Sequence, residues 1–412
     1  MGESLWRHRD FRQLWIAQTL SLVGSQFGGL ALPLVAILVL GASPAQVGLL
    51  TGIAGVPWLL IGLAVGVVVD RVRRRRLLVH ADLGRGMALS WVPVAAAFGV
   101  LSMAQLYVVA FVVGICAVFF ETAYQSYLPS IVARQQLVEG TSRLAVTESI
   151  TGVAGPSAAG AVIQLLGATV GVLIDAASYV ASALALATIY AREAVPSAGV
   201  RQRPKAALAE GMTFLWRQVA IRSFALSNAT FMLFSTVLQA VVLVYYTRSV
   251  GLSAALIGVT YASGNAGAIV GALLARRAAF RGLPGLTISG SSTLRALGLV
   301  AIPVTMVLPR TPALVLIIVG QFVHAFGWSL WSVHQGSTRQ FLAPVDVRGR
   351  VNGRFLFIVR GTTAIGGFLG AALAQAVGVA VTITVGVAGT LAGTLWLLIA
   401  PVVQLRDQNP CG

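Results

Sequence analysis

Charge is what this sequence has least of. Only 10% of its 412 residues are charged, whereas a soluble domain carries roughly 25%, so most of the folded surface cannot face water. Lysine is all but missing: Lys205 stands alone, and the other members of the 29 basic residues are arginine. Cysteine occurs twice, as Cys116 in an apolar run and Cys411 near the end, which excludes a disulfide framework. The histidines, His8, His80, His324 and His334, form no metal-ligand cluster and no His-Glu-x-x-His pattern. No Gly-x-x-x-x-Gly-Lys-Ser/Thr loop occurs, which argues against ATP as the direct energy source. An enzyme, a metal centre and a bound cofactor are therefore not expected. No short apolar run ending in a small-residue cleavage site follows Trp6-Arg7-His8-Arg9-Asp10-Phe11-Arg12, so no cleavable signal is expected either.

What the chain has in abundance is hydrophobic length. Hydrophobic residues make up 57% of it, and the mean hydropathy is +0.86. A bilayer core about 30 Å thick takes about 20 apolar residues of helix. Twelve such runs are present, at 13–40, 45–69, 77–100, 104–128, 141–166, 168–190, 223–247, 253–275, 284–308, 312–335, 352–377 and 380–404. Unpaired backbone groups are costly in hydrocarbon, so every run is predicted to be helical. The fold class expected is an all-α membrane protein. Connections at 41–44, 101–103, 248–252, 309–311 and 378–379 are very short, while those at 70–76, 129–140, 191–222, 276–283 and 336–351 are longer and basic.

The arginines orient these spans. With the N-terminus inside, 24 of the 29 basic residues fall on inner connections or inner rims, Arg143 and Arg354 among them. The outer side holds Arg248 and Arg310, and Arg85, Arg295 and Arg360 lie within spans. That bias obeys the positive-inside rule, which predicts both termini in the cytoplasm of a cell-membrane protein. The net charge of +17 would point to nucleic acid in a soluble chain; here it reads as topology, and no nucleic-acid partner is expected.

The connection at 191–222 carries Pro196, Ser197, Gly199, Arg201, Arg203, Pro204 and Lys205. It is read as a central cytoplasmic loop between two six-span halves, 1–190 and 223–412, the second ending in a short tail. The halves echo each other. Gly66 to Arg71 closes span 2 and Gly271 to Arg276 closes span 8, while Leu128-Pro129 and Ala343-Pro344 follow spans 4 and 10. Two parallel halves with a binding site between them is a known transporter plan.

At these residues the chain resembles the major facilitator superfamily. The superfamily's loop pattern, roughly G-x-x-x-D-R-x-G-R-R, is matched by Gly66-Val67-Val68-Val69-Asp70-Arg71-Val72-Arg73-Arg74-Arg75-Arg76, with Arg73 replacing the second glycine. Gly152 to Gly160, with Gly155-Pro156 at its centre, is similar to the glycine-proline pattern of the antiporter branch. Tyr127 to Val132, Ile174 to Tyr179 and Glu210 to Leu215 resemble drug exporters of the macrolide and siderophore kind. The resemblance implies two pseudo-symmetric bundles, function as a monomer, spans 3, 6, 9 and 12 at the periphery, and a span 2–3 loop that latches the outward-open state.

Physical reading of the residues adds candidates. Asp70 and Arg71, with Arg74 and Arg75 behind them, can form weak ion pairs that gate access; the alternative is a solvated anchor fixing topology. Gly155-Pro156 removes one backbone hydrogen bond and allows close helix approach, serving either a bend or plain packing. Gly366-Gly367 to Gly370 reads as packing. Ionisable residues within spans are expensive and face protein or water. Asp82 and Arg85 are three apart and can satisfy each other, and Asp175 and Arg295 fall on spans that the resemblance places at the periphery. Glu121 and Glu148 are the candidates for proton coupling, Glu121 alternatively partnering the arginines after span 2, and Arg360 is a candidate for substrate charge. Gln321, His324, Trp328, Trp331 and Gln335 recur at helical spacing on one face of span 10. Such an aromatic and amide face suits a cavity for bulky, partly apolar molecules, cations included; the alternative is helix–helix contact with an interfacial Trp belt. Asn228, Phe231, Ser235 and Gln239 in span 7, and Gln18, Ser21 and Ser25 in span 1, form companion stripes.

The leading expectation is a secondary transporter, a proton-coupled exporter of a small amphipathic compound such as an antibiotic or other secondary metabolite. Its partners would be that small molecule, the proton and the lipid bilayer. An importer of a metabolite or lipid on the same fold is the alternative. A non-transporting receptor or scaffold would call for a sizeable soluble domain, which no connection offers.

Overall fold

The computed structural model describes residue 5 and residues 8–62, 64–69, 71–132, 136–190, 212–279, 284–342 and 348–399. Asp70, most of the central connection (191–211), Pro344 and Cys411 lie outside them.

The described residues are helical almost throughout. In chain order the helices are α1 (Arg9–Leu34), α2 (Pro44–Ile61), α3 (Val65–Val69), α4 (Arg74–Ala97), α5 (Met103–Ile131), α6 (Leu137–Leu166), α7 (Ala168–Ala187), α8 (Val219–Val244), α9 (Ala254–Ala279), α10 (Pro284–Val304), α11 (Arg310–Leu342) and α12 (Arg348–Ile399). Among the described residues, ten stretches are long and apolar enough to cross a membrane. The polar-headed α4 is not among them, and α12 holds two limbs divided at Gly378, where φ is 81°. With α4 and both limbs counted, the helices supply twelve spans, and the protein is an all-α, multi-pass membrane protein.

Local chemistry sets the ends. Ser43 and Ser102 each accept from the N–H three residues on, and Gln46 and Gln105 reach back to the serine N–H groups, closing capping boxes at α2 and α5. Gly167, at φ 93°, separates α6 from α7 without a loop. Helices also run past the apolar stretches, because their backbone bonds are internal and do not depend on lipid. Thus α5 continues through Pro129 to Ile131, α11 extends to Leu342, and a helical turn over 212–217 precedes α8 in the expected central loop.

Span 2 was expected as one helix, but it breaks between α2 and α3. Pro57 and Gly62 weaken the ladder, and Ala64 N–H turns to Ile61 O at 2.9 Å instead of continuing it. A second departure is duplicated. α1 ends in a π-helical turn at Val35–Val39 and α8 in another at Tyr245–Ser249. Leu40 N–H reaches Val35 O at 3.2 Å and Val250 N–H reaches Tyr245 O at 3.0 Å; Gly41 and Gly251 follow at φ 63° and 72°.

The chain divides into a first unit, Met1–Val200 with Ser253–Gly258, and a second, Arg201–Leu252 with Val259–Gly412. In the first, α1 packs on α6 and α7, and α4 packs on α5 and α7. In the second, α12 packs along α8, and α10 pairs with α11. Lipid supplies no hydrophobic force between helices, so close backbone approach through glycine replaces it. Gly366 and Gly370 on one limb of α12, and Gly386, Gly389 and Gly393 on the other, all lie against α8 between Ser227 and Ala240.

Candidate functional site

Of the predicted gating residues, Gly66, Arg71, Arg74 and Arg75 sit at and around the junction of α3 and α4. Gly66 is half-buried with open space around it, and Arg71 is exposed in the turn after α3. Arg74 opens α4. Arg75 has a defined job: its Nε donates to Leu186 O at 3.1 Å, and a second nitrogen donates to Ala187 O. These carbonyls lie at the end of α7, the negative pole of that helix, and Leu186 O also accepts from Ile189 N–H at 3.3 Å. Beyond them Tyr190 N–H donates to Asp10 at 3.0 Å, and the Arg9 guanidinium lies 4.8 Å from the Tyr190 ring.

On α6, Gly155 lets the side chain of Gln26 lie flat against the helix, and the Pro156 carbonyl abuts Gly258. The Trp15 indole donates to Thr147 at 2.9 Å, which ties α1 to α6 above the same contact. Among the predicted coupling acids, Glu121 is half-buried on α5 and Glu148 is exposed on α6, close enough for its charge to act on Tyr124.

The deepest charges of the first unit are elsewhere. Asp82, Arg85 and Asp175 are all buried and come together between α4, α5, α7 and α1. Arg85 lies 3.6 Å from Asp82, the partner that spacing predicted, and donates to Cys116 O at 3.4 Å. Its guanidinium is 4.4 Å from the Phe120 ring and 5.0 Å from that of Tyr179. Ser182 donates to Asp82 at 2.6 Å. Asp175 fits against α1 where Gly24 and Gly28 leave bare backbone; a methyl at Gly28 would overlap its carboxylate. Ser25 and the Tyr179 hydroxyl are 3.0 Å apart, joining α1 to the cluster, while Gln18, two turns back, keeps its carbonyl oxygen buried without a hydrogen bond. Sequence spacing found the Asp82–Arg85 pair. It could not find Asp175 beside it, because that contact joins residues far apart in the chain.

The span 10 stripe is organised around another buried arginine. His324, Trp328 and Trp331 of α11 surround Arg295 of α10, which has no exposed surface. Its guanidinium lies 3.9 Å from the Phe231 ring, 4.0 Å from Trp331 and 5.3 Å from Trp328. Asn228 accepts from it at 3.4 Å, and His324 Nδ1 meets its backbone carbonyl at 2.8 Å. Two of its nitrogens have no hydrogen-bond partner, nor do the Trp331 indole and the Gln335 amide nitrogen. Gln321 lies near Tyr246, Gln239 is exposed with its amide 3.4 Å from Ser235, and Arg360 is exposed on α12. A signal for this centre was present: the sequence has no acid between Glu210 and Asp346, so Arg295 has no carboxylate on its own half's first four spans. A groove of about 670 Å³ between α4 and α5 is lined by Met87, Trp91, Val108 and Val112 and by none of the predicted cavity residues; its apolar walls suit lipid.

The transmembrane secretion effector family matches residues 4–410. The enterobactin exporter EntS of Salmonella typhi is 29% identical over 373 residues, covering 89% of this chain and 85% of the relative. The EntS protein of Escherichia coli O139:H28 is 28% identical over 375 residues, covering 89% and 84%. In structure the chain is similar to a bacterial homologue of the iron transporter ferroportin in its inward-facing state, with a TM-score of 0.77 at 19% identity, covering 96% of this chain and 99% of the other. It is also similar to the nucleoside transporter NupG, with a TM-score of 0.72 at 14% identity, covering 94% and 99%. A helical membrane protein with buried charge inside its spans, matched over nearly its whole length, belongs to the transmembrane secretion effector family and is a transporter of the major facilitator type.

Proposed function

We propose that this chain is a proton-coupled exporter of a small amphipathic compound, working as a monomer in a bacterial inner membrane with both termini in the cytoplasm. Its two units would be the halves that alternate access to a central site, so the 1–190 and 223–412 halves act as moving parts and Gly66, Asp70, Arg71, Arg74, Arg75, Gly155 and Pro156 govern the exchange. The observation that carries the reading is the match to exporters along nearly the full length of the chain. Export by those relatives, named for enterobactin, favours outward movement over import. Antibiotics and other secondary metabolites are the remaining candidates for the substrate.

Coupling needs an acid that can exchange a proton while the protein changes state. The acids on the twelve spans, Asp82, Glu121, Glu148 and Asp175, all belong to the first half, so that half would bind the proton. The aromatic and amide face of α11, with Asn228, Gln239, Gln18, Ser25 and Arg360, would supply substrate contacts. A ligand shifts the balance of states only by its differential affinity for them.

The test uses inside-out vesicles loaded with an acid interior, a pH-sensitive dye, and a panel of amphipathic antibiotics and siderophores. Dissipation of the gradient by one compound, lost in Glu148→Gln, supports coupled export through an accessible acid. A full response from Glu148→Gln removes that residue from the mechanism, and silence across the panel with folded protein removes coupled export of these compounds.

A further inference from the structure

Among the described residues, the first unit holds two buried carboxylates, Asp82 and Asp175, and one buried guanidinium, Arg85. Asp82 has the Arg85 guanidinium at 3.6 Å and the Ser182 hydroxyl at 2.6 Å. Asp175 is only 4% exposed, and its Oδ1 is buried without any hydrogen bond. The titratable and charged groups around it are Asp82 and Arg85 from α4 and Tyr179 from its own helix. From α1 the bare backbone at Gly24 and Gly28 lies against Asp175, and Ser25 meets the Tyr179 hydroxyl. A single guanidinium cannot balance two carboxylates, and an uncompensated buried charge is costly enough that such a group neutralises instead.

We propose that Asp175 is a proton-binding site, occupied in this arrangement and linked to α1. The neutral carboxyl lies against Gly24 and Gly28, where an ionised one would be stranded. When α1 separates from α7, water and Arg85 reach the carboxyl, its O–H bond breaks, and the proton leaves to water. The linkage runs through contacts on the page. Arg85 lies over the Tyr179 ring, and the Tyr179 hydroxyl is 3.0 Å from Ser25 on α1. Ser25 and Gln18 belong to the stripe predicted to meet substrate, so whatever draws α1 away also releases the proton. By reciprocity the proton then weakens whatever binds the separated state. The site deepens the reading of a proton-coupled exporter and rests on it for the substrate side alone.

Infrared spectroscopy tests it without any substrate. Purified protein in a detergent free of ester groups, near neutral pH, is expected to show the carbonyl stretch of a neutral carboxylic acid. Asp175→Asn should remove that band while keeping the protein folded, since the amide replaces a neutral acid of the same shape. Asp82→Asn provides a second reading that does not depend on how Asp175→Asn folds: Arg85 then has only Asp175 to pair with, so the band should vanish although Asp175 is still present. No such band in the parent, or a band unchanged in either variant, overturns the proposal. In the vesicle assay Asp175→Asn should lose substrate-driven proton movement; undiminished movement overturns the link to α1 while leaving coupled export in place. A band that belongs to Asp175 in a protein whose vesicles never exchange protons supports the site and removes coupled export instead.

Discussion

Arg75 separates two readings of the basic run after span 2. If it acts as a cap, Arg75→Gln should loosen the end of α7. The Nε bond to Leu186 O is 3.1 Å long, and a second bond ends on Ala187 O. Hydrogen bonds from a charged donor contribute about 1.5–3 kcal/mol each when well enclosed. Arg75 is only partly buried, so the low end applies, and the two share one side chain. A favourable position at a helix C-terminus adds about 0.3–1 kcal/mol. The expected total loss is about 2 kcal/mol, with Arg75→Lys recovering about half because one ammonium cannot span both carbonyls. Arg76→Gln, at an exposed position, should change stability by less than about 0.5 kcal/mol. Denaturant unfolding of purified protein gives the totals, and hydrogen exchange over residues 183–190 locates the effect. Unchanged stability and exchange in Arg75→Gln, with transport abolished, would refute the cap and make Arg75 a gate.

Three further outcomes follow from the packing. Asp82→Asn leaves Arg85 buried without its nearest acid, a loss of about 3–5 kcal/mol when nothing replaces it; with Asp175 stepping in, unfolding should show less than about 3 kcal/mol, and the Asp82→Asn/Asp175→Asn double variant should show the full loss. Gly327→Ala drives a methyl into the α10 backbone at Arg295 and Ser291, so it should cost about 1–3 kcal/mol and perturb the fluorescence of Trp328 and Trp331. Gly378→Ala places a side chain at φ 81° and ψ 172°, a region open essentially to glycine alone, and should cost about 1–3 kcal/mol in the same unfolding assay. Equal stability of either glycine variant to the parent would show that the backbone there can yield.

The spans were legible because hydrophobic length is a property of composition, and the division at Gly378 fell where apolar runs met with almost nothing between them. Asp82 and Arg85 were legible for a similar reason, since three residues on a helix place two side chains on one face. The break between Ile61 and Val65 was not, because it concerns which carbonyl a given N–H chooses, and both choices suit an apolar sequence. The same holds for the π-helical turns. The stripe on span 10 was visible as periodicity, yet what it surrounds was not. Arg295 and Phe231 arrive from α10 and α8, and no spacing within α11 encodes their approach. Asp175 was visible as an acid within span 6, but its neighbours Asp82 and Arg85 were hidden for the same reason, since they come from α4.

The two corners at 35–43 and 245–253 share a backbone course while only Gly41/Gly251 and Ser43/Ser253 coincide in identity. One corner is wholly aliphatic through its wide turn, Val-Ala-Ile-Leu-Val; the other reads Tyr-Tyr-Thr-Arg-Ser. What the two corners have in common is a count of residues. Side chains can drift there freely, but an insertion or deletion of one residue would put the glycine out of step with the widened turn. Natural variation along these nine positions should therefore be rich in substitutions and almost empty of length changes.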